Sequence, residues 1–261
     1  MEPIAGLFLS NQNIKLVPEM IDTKVVVNSV VEPRGFFSYL TCLLPLLEQS
    51  EVDGIPVYVD WSGATNYLDI ERGENVFDYY FEQPYIEIVP RGMEIVNRTE
   101  GKEFLSDFFS RRIYRFDPQV RAKSVRLIRK YIRVRPEILD IVDGFCEGMN
   151  GEKVLGVHIR STDQFTNGHF SGQHLCLERY LELIDQAVFL DKYTKIYAAS
   201  DSQEIIEWLK DNYPNLVTYD CTRSFDHTAI HSNEKFLGYR IGEEVLVESL
   251  ILSRCQYFVA S

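Results

Sequence analysis

His158 and Arg160 close the apolar run of Lys153 to Ile159 (KVLGVHI), and because side chains alternate along an extended chain the two share one face. A guanidinium at a strand end offers a fixed fork of donors to a diphosphate and cannot lose its charge. It also offsets the charge that gathers on a departing phosphate, which suits group transfer from a nucleotide ester. The plainer alternative is a surface pair between Arg160 and Asp163. His158 alone would read as a core histidine, so its interest comes from Arg160.

Other polar residues follow the neighbouring apolar runs. Ser161, Thr162 and Asp163 come directly after Arg160, and Ser200 and Asp201 end KIYAAS. Arg223, Ser224, Asp226, His227 and His231 follow NLVTYD, and Gly242, Glu243 and Glu244 open the last helical stretch. Open parallel sheets bind ligands beyond the carboxyl ends of their strands, so these positions converge where a polar ligand would lie.

Candidates for a general base lie elsewhere. His169, in FTNGHFSG, has an imidazole suited to proton transfer near neutrality, though a loop histidine without a role fits equally. Asp60, at the end of VYVDW, is a rival base or a cap. The loop Arg34, Gly35, Phe36 and Ser38 joins a strand to a helix, where backbone N–H groups favour an anion, so it is a candidate acceptor or phosphate contact as well as a simple turn. Trp61, Tyr67, Tyr79 and Tyr80 would stack on sugar rings or fill a core. No Asp-x-Asp triplet is present, and Asp69-Ile70-Glu71 is only a near miss, so no divalent metal and no cofactor is expected.

The elements that must hold these residues alternate. KVVVNSVV, the helical FFSYLTCLLPLLEQS and VYVDW form a βαβ opening. NVFDYYFEQ is rich in aromatics, and YIEIVP alternates like a strand. Lys102 to about Gly148 has a helical pattern, broken at Asp117-Pro118 and Arg135-Pro136. Then KVLGVHI, CLERYLELIDQAVFL, KIYAAS, QEIIEWLKDNY, NLVTYD, EEVLVESLILSRC and QYFVAS alternate strand and helix, which predicts a parallel, doubly wound α/β sheet. At 261 residues two domains are expected, 1–150 and 151–261, with a hinge near Asn150-Gly151-Glu152.

Composition narrows the classes. A net charge of −12 disfavours nucleic acid as a partner. The basic stretch from Arg111 to Arg135 is then a solvated helix face or a contact for a diphosphate or acidic glycan. Five cysteines with no CxxC pair indicate neither a disulfide framework nor zinc, and fit a reducing compartment. No apolar run reaches the roughly 18 residues of a membrane span, and no signal sequence is evident, so a soluble cytoplasmic protein is expected. Asn97-Arg98-Thr99 matches a glycosylation sequon that means nothing in that compartment. A nicotinamide-dependent oxidoreductase would need a G-x-G-x-x-G turn after a first strand, and none is present.

GVHIRSTDQ resembles the first motif, His-x-Arg-x-x-Asp, of the α-1,6- and O-fucosyltransferase superfamily. IYAASDSQEIIEWLKDNYPN is similar to that family's next block, and GEEVLVESLILSRCQYFVAS to its third. GFFSYL, VYVDW and NVFDYYFE look like the N-terminal half of bacterial, algal and viral relatives. The resemblance implies a GT-B fold, two Rossmann-like domains whose parallel sheets face each other across a cleft. The N-terminal one lies on the acceptor side and the C-terminal one holds the nucleotide-sugar.

It also implies an inverting, metal-independent transfer from GDP-fucose to a glycan hydroxyl, with an oligosaccharide or glycoconjugate as acceptor. Arg160 would bind the β-phosphate and assist departure of the nucleotide, with His158 and Asp163 lining the pocket. Glu248 would hold the base or ribose, with Ser200 and Asp201 close by. Arg223 and Glu243 complete the donor-side candidates. The chain departs from the pattern at Ser161, where some relatives have a second Arg, and in FTNGHFSG, where some have a glutamate. Those departures leave room for a UDP-sugar donor such as UDP-xylose, and a non-catalytic glycan-binding protein is the remaining alternative. The sequence stops at Ser261, where the family continues into a Ser-containing loop and a last helix, so a shortened second domain is expected.

Overall fold

The β-branched run Lys24–Ser29 forms strand β1, the centre of a parallel sheet in the computed structural model, which describes residues 24–30, 33–85, 94–99, 117–161, 177–226, 228–230 and 237–260. Strand β2 (Val57–Asp60) lies on one side of β1, with Val26 opposite Val57. The chain reaches it through helix α1 (Phe36–Asp53), which ends where Gly54 turns left-handed at φ 69° and returns its N–H to the Ser50 carbonyl.

Phe36, Tyr39, Leu43, Leu44 and Leu47 put the apolar side of α1 into the core. A one-turn helix α2 (Phe77–Tyr80) and strand β3 (Phe81–Glu82) follow. Strand β4 (Glu94–Thr99) then takes the other side of β1, giving the order β2-β1-β4. The strand expected over YIEIVP falls at 85–90, of which 86–90 lie outside the described residues.

Helix α3 (Pro118–Tyr131) starts at Asp117, whose carboxylate caps the N–H groups of Gln119 and Val120 at 2.8 and 3.3 Å. Strand β5 (Arg133–Val134) pairs antiparallel with β3. Three cations in the described part of the basic stretch meet acids of α1. Lys123 meets Glu48 at 2.7 Å, and Glu51 accepts from Arg126, Lys130 and the Tyr131 hydroxyl. Those three cations are paired within the first unit, while 111–116 lie outside the described residues.

The chain divides into two compact units between Pro136 and Glu137, ahead of the turn at Asn150. Within the second, helix α4 (Pro136–Glu147) leads into strand β6 (Val154–Ile159), followed by α5 (Leu177–Asp191), β7 (Lys195–Ser200), α6 (Gln203–Asn212) and β8 (Leu216–Val217). Helix α7 (Tyr239–Arg254) and strand β9 (Tyr257–Ala260) complete it. The four strands are parallel in the order β8-β7-β6-β9.

Leu155, Val157, Ile159, Ile196 and Ala198 pack with Ile184 of α5 and Ile205, Ile206 and Leu209 of α6. The strand expected over NLVTYD shortens to two residues because the Thr218 hydroxyl, not the backbone, reaches the Ala198 carbonyl, at 2.8 Å. No helix among the described residues is long and apolar enough to cross a membrane.

Candidate functional site

Strand β6 is the point where the second sheet reverses. From β6 the chain adds β7 and β8 on one side, then returns to lay β9 on the other. In such sheets the crevice for a ligand opens at the carboxyl ends of the strands flanking the reversal. The residues there are His158, opposite Ala199 and Ala260, then Ile159, opposite Ser200, then Arg160 and Ser161.

The backbone at this edge is held from β7. The Ser200 hydroxyl donates to the Ile159 carbonyl at 2.6 Å and accepts the Ser202 N–H at 3.2 Å. The Asp201 carboxylate accepts the Ser161 N–H at 2.8 Å, and the Asp201 carbonyl accepts the Ser224 N–H at 2.9 Å. Ser200 is 2% exposed with its one hydroxyl proton engaged, so it acts here as a clamp on the strand end. Ser161 is 7% exposed, and its hydroxyl has no hydrogen-bond partner among the described residues. Arg160 is half-buried between these held neighbours. Burial holds the His158 imidazole below its ordinary pKa, Asp201 opposes the shift and Arg160 reinforces it, so the ring is neutral at neutral pH.

Arg223, expected on the donor side, is enclosed within the second unit. Its guanidinium donates to the Cys221 and Tyr219 carbonyls at 3.1 and 2.8 Å, to Thr218 Oγ1 at 2.9 Å and to Glu248 Oε1 at 2.9 Å. Glu248 on α7 is thus its ion-pair partner. Burial pushes the Glu248 carboxyl up to about 7, with Arg223 pulling the other way. Glu244 is buried, accepting the Thr222 N–H at 2.9 Å and Arg240 Nε at 2.6 Å, and Glu243 accepts from the Tyr239 hydroxyl. These bonds fold the segment after β8 onto α7. The roles of Glu244 and Thr218 in that loop were not anticipated from sequence, since nothing in their spacing marks them as partners.

The remaining candidates lie in the first unit or outside the described residues. Asp163 and His169 are in the second group, as are His227 and His231. Asp60 caps its own turn by accepting the Ser62 N–H at 3.0 Å. Arg34 donates its N–H to the Tyr39 hydroxyl at 2.7 Å and accepts from Asn66 Nδ2 at 2.9 Å, while Ser38 donates its N–H to the Gly35 carbonyl at 2.9 Å. Gly35 itself has an ordinary extended backbone and open space where a Cβ would stand, so no close approach demands glycine there.

Phe36 is 3% exposed, at the centre of an aromatic cluster whose rings meet Trp61, Tyr67 and Tyr80 edge-on at 5.1 to 6.1 Å. Trp61, Tyr67, Tyr79 and Tyr80 are all buried, which corrects their reading as sugar-stacking platforms: they are the core of the first unit. Asp69 caps the Glu71 N–H at 3.2 Å and pairs with Arg72, so the near miss to an Asp-x-Asp triplet is a turn. Among the described residues no group of three or more His, Cys, Asp or Glu side chains is arranged to hold a metal ion.

The fold these elements make is similar to that of solved fucosyltransferase structures. A structure of NodZ α-1,6-fucosyltransferase co-crystallised with GDP matches over 91% of this chain and 87% of that one, with a TM-score of 0.57 and 17% identity. Fucosyltransferase NodZ from Bradyrhizobium matches over 90% and 87%, at a TM-score of 0.56 and 18% identity. NodZ soaked with GDP-fucose gives 91% and 87%, at 0.56 and 17%. No family model matches the sequence. No curated protein matches it either.

Proposed function

We propose that the chain is a glycosyltransferase that binds a nucleotide-sugar, GDP-fucose by preference, at the carboxyl edge of the second unit's sheet and transfers the sugar to a glycan hydroxyl. The observation that carries the reading is Arg160, set at the sheet's reversal point with the backbone on both sides of it held by Ser200 and Asp201. The solved NodZ structures support it, since they share the fold and hold GDP or were soaked with GDP-fucose.

In this proposal the acceptor oxygen attacks the anomeric carbon as the bond to the β-phosphate oxygen breaks, so the configuration inverts and the nucleoside diphosphate leaves. The guanidinium of Arg160 meets the charge that grows on that oxygen, the work a divalent cation does in other transferases. Neutral His158 lies on the same face of β6 and adds no competing charge. The acceptor proton passes to a base for which His169 and Asp60 are the candidates, with the acceptor on the side of the N-terminal domain. The two domains are 1–150 and 151–261, and the protein works in the cytoplasm without a membrane span.

The test is turnover. Purified protein should release GDP from GDP-fucose, and Arg160→Ala should lower kcat/KM by about 100-fold or more. Turnover of UDP-xylose instead would keep the chemistry and change the donor. Donor binding with no turnover on any glycan acceptor would favour the glycan-binding alternative, and no binding of any nucleotide-sugar would end the proposal.

A further inference from the structure

We infer that Asp201 is a positioning residue for Arg160, acting through the backbone of Ser161 rather than by touching the nucleotide. The inference rests on the donor-binding reading of Arg160 and gives Asp201 a task different from the one the motif resemblance implies.

Strand β6 ends at Ile159, and beyond that residue the ladder to β7 supplies no further partner. A backbone N–H left at a buried strand end needs an acceptor. Asp201 supplies it with a carboxylate oxygen 2.8 Å from the Ser161 nitrogen, a charge-assisted bond stronger than an ordinary ladder bond. On the other side of Arg160, the Ile159 carbonyl is taken by the Ser200 hydroxyl at 2.6 Å. Two consecutive residues of one strand end thus grip the peptide groups before and after Arg160, and its Cα is fixed between them.

Asp201 is also tied down. Its carbonyl accepts the Ser224 N–H at 2.9 Å, and the Ser224 carbonyl accepts the Gln203 N–H at 3.0 Å, so the anchor is braced against the loop after β8 and the first turn of α6. A long side chain on a fixed Cα loses less freedom when its fork closes on a phosphate, which is how a residue that never meets the ligand raises affinity for it.

Asp201→Asn keeps an oxygen to accept the Ser161 N–H and removes the charge, whereas Asp201→Ala removes both. Three readouts are compared with wild type: amide hydrogen exchange of the peptide containing Ser161, GDP affinity by titration calorimetry, and kcat and KM with GDP-fucose. Asp201→Asn is expected to stay within about threefold of wild type in exchange and GDP affinity, because a hydrogen bond of the same geometry remains. Asp201→Ala is expected to speed Ser161 exchange and to weaken GDP by about 10-fold or more, seen mainly as a raised KM.

Two results overturn the inference. In one, Asp201→Asn weakens GDP as much as Asp201→Ala while Ser161 exchange is unchanged, which means the carboxylate acts on the nucleotide directly. In the other, Asp201→Ala melts lower yet binds GDP like wild type, which means the bond is structural only. Should Asp201→Ala fail to fold, Asp201→Asn decides alone: retained exchange and affinity support the inference, and loss of either overturns it. Wild-type protein that binds neither GDP nor UDP would remove the parent reading and this one with it, whereas binding of either nucleotide by wild type that is indifferent to Asp201 removes only this one.

Discussion

Arg223 and Glu248 face each other at 2.9 Å inside the second unit, their side chains 5% and 15% exposed, and the pair joins the segment after β8 to helix α7. Removing the cation leaves a buried carboxylate without its partner, so Arg223→Ala should cost about 3–5 kcal/mol of stability, measured by urea denaturation.

The same pair sets a pH dependence. Burial raises the Glu248 carboxyl from 4.5 to about 7, with Arg223 and the Cys221 thiol opposing and the nearby Glu244 adding to the rise. A carboxyl whose folded pKa lies above its unfolded value keeps its proton in the folded state over the interval where the unfolded chain has lost it. Its contribution therefore falls as pH rises from about 4.5 to about 7 and is level beyond. Glu248→Gln retains an acceptor for Arg223 and should flatten that part of the stability profile. An unchanged slope in the variant would count against the assignment.

Glu51 behaves in the opposite sense. Hydrogen bonds from Arg126, Lys130 and Tyr131 lower its carboxyl from 4.5 to about 2 against a smaller burial effect. The stabilisation is fully present above about 4.5 and is lost as pH falls toward about 2. Glu51→Gln should cost about 1 kcal/mol at neutral pH, less in high salt, and nothing below the folded pKa. Denaturation of both proteins at neutral and acid pH checks this.

Gly156 sits where α7 and β9 close on β6. A Cβ there would come within 3.1 Å of Leu252 Cδ2 and Phe258 Cβ and 3.2 Å of Cys255 Cβ. Gly156→Ala should cost about 1–3 kcal/mol through overpacking. Adding Leu252→Ala, which takes away the one flexible contact of the three, should recover part of that loss, and a double-mutant cycle should show the coupling.

Trp61 separates a core role from a binding role. It is fully buried against Phe36, Tyr39, Phe77 and Phe81. Trp61→Ala should therefore destabilise the protein by about 3–5 kcal/mol. A sugar platform would instead show near-normal stability with loss of acceptor affinity.

The second unit was the more legible of the two in the sequence, because its strands are short β-branched or apolar runs separated by amphipathic helices of ordinary length. Apolar spacing alone located β6, β7, β9, α5 and α6. Strand β4 was missed: only two of its six residues, Ile95 and Val96, are apolar, and its pairing with β1 over Lys24 to Ser29 is a long-range contact that no local pattern announces. Aromatic residues misled for a related reason, since a type that stacks on sugars also fills cores, and only burial tells the two apart. At the site, strand-end position singled out Arg160, Ser200 and Asp201 as a group. It did not reveal that Ser200 and Asp201 grip backbone, or that Arg223 and Glu248 pair, because sequence carries residue types and not the direction of side chains.

Arg160 is the residue on which nucleotide binding is expected to depend most. Titration calorimetry of GDP into wild type and Arg160→Ala, with matching melting temperatures in the absence of nucleotide to show an intact fold, addresses it directly. The expected result is saturable binding by wild type and an affinity lower by about 10- to 100-fold in the variant, the loss of charge-assisted hydrogen bonds to a phosphate. Equal affinity in the two proteins would contradict it.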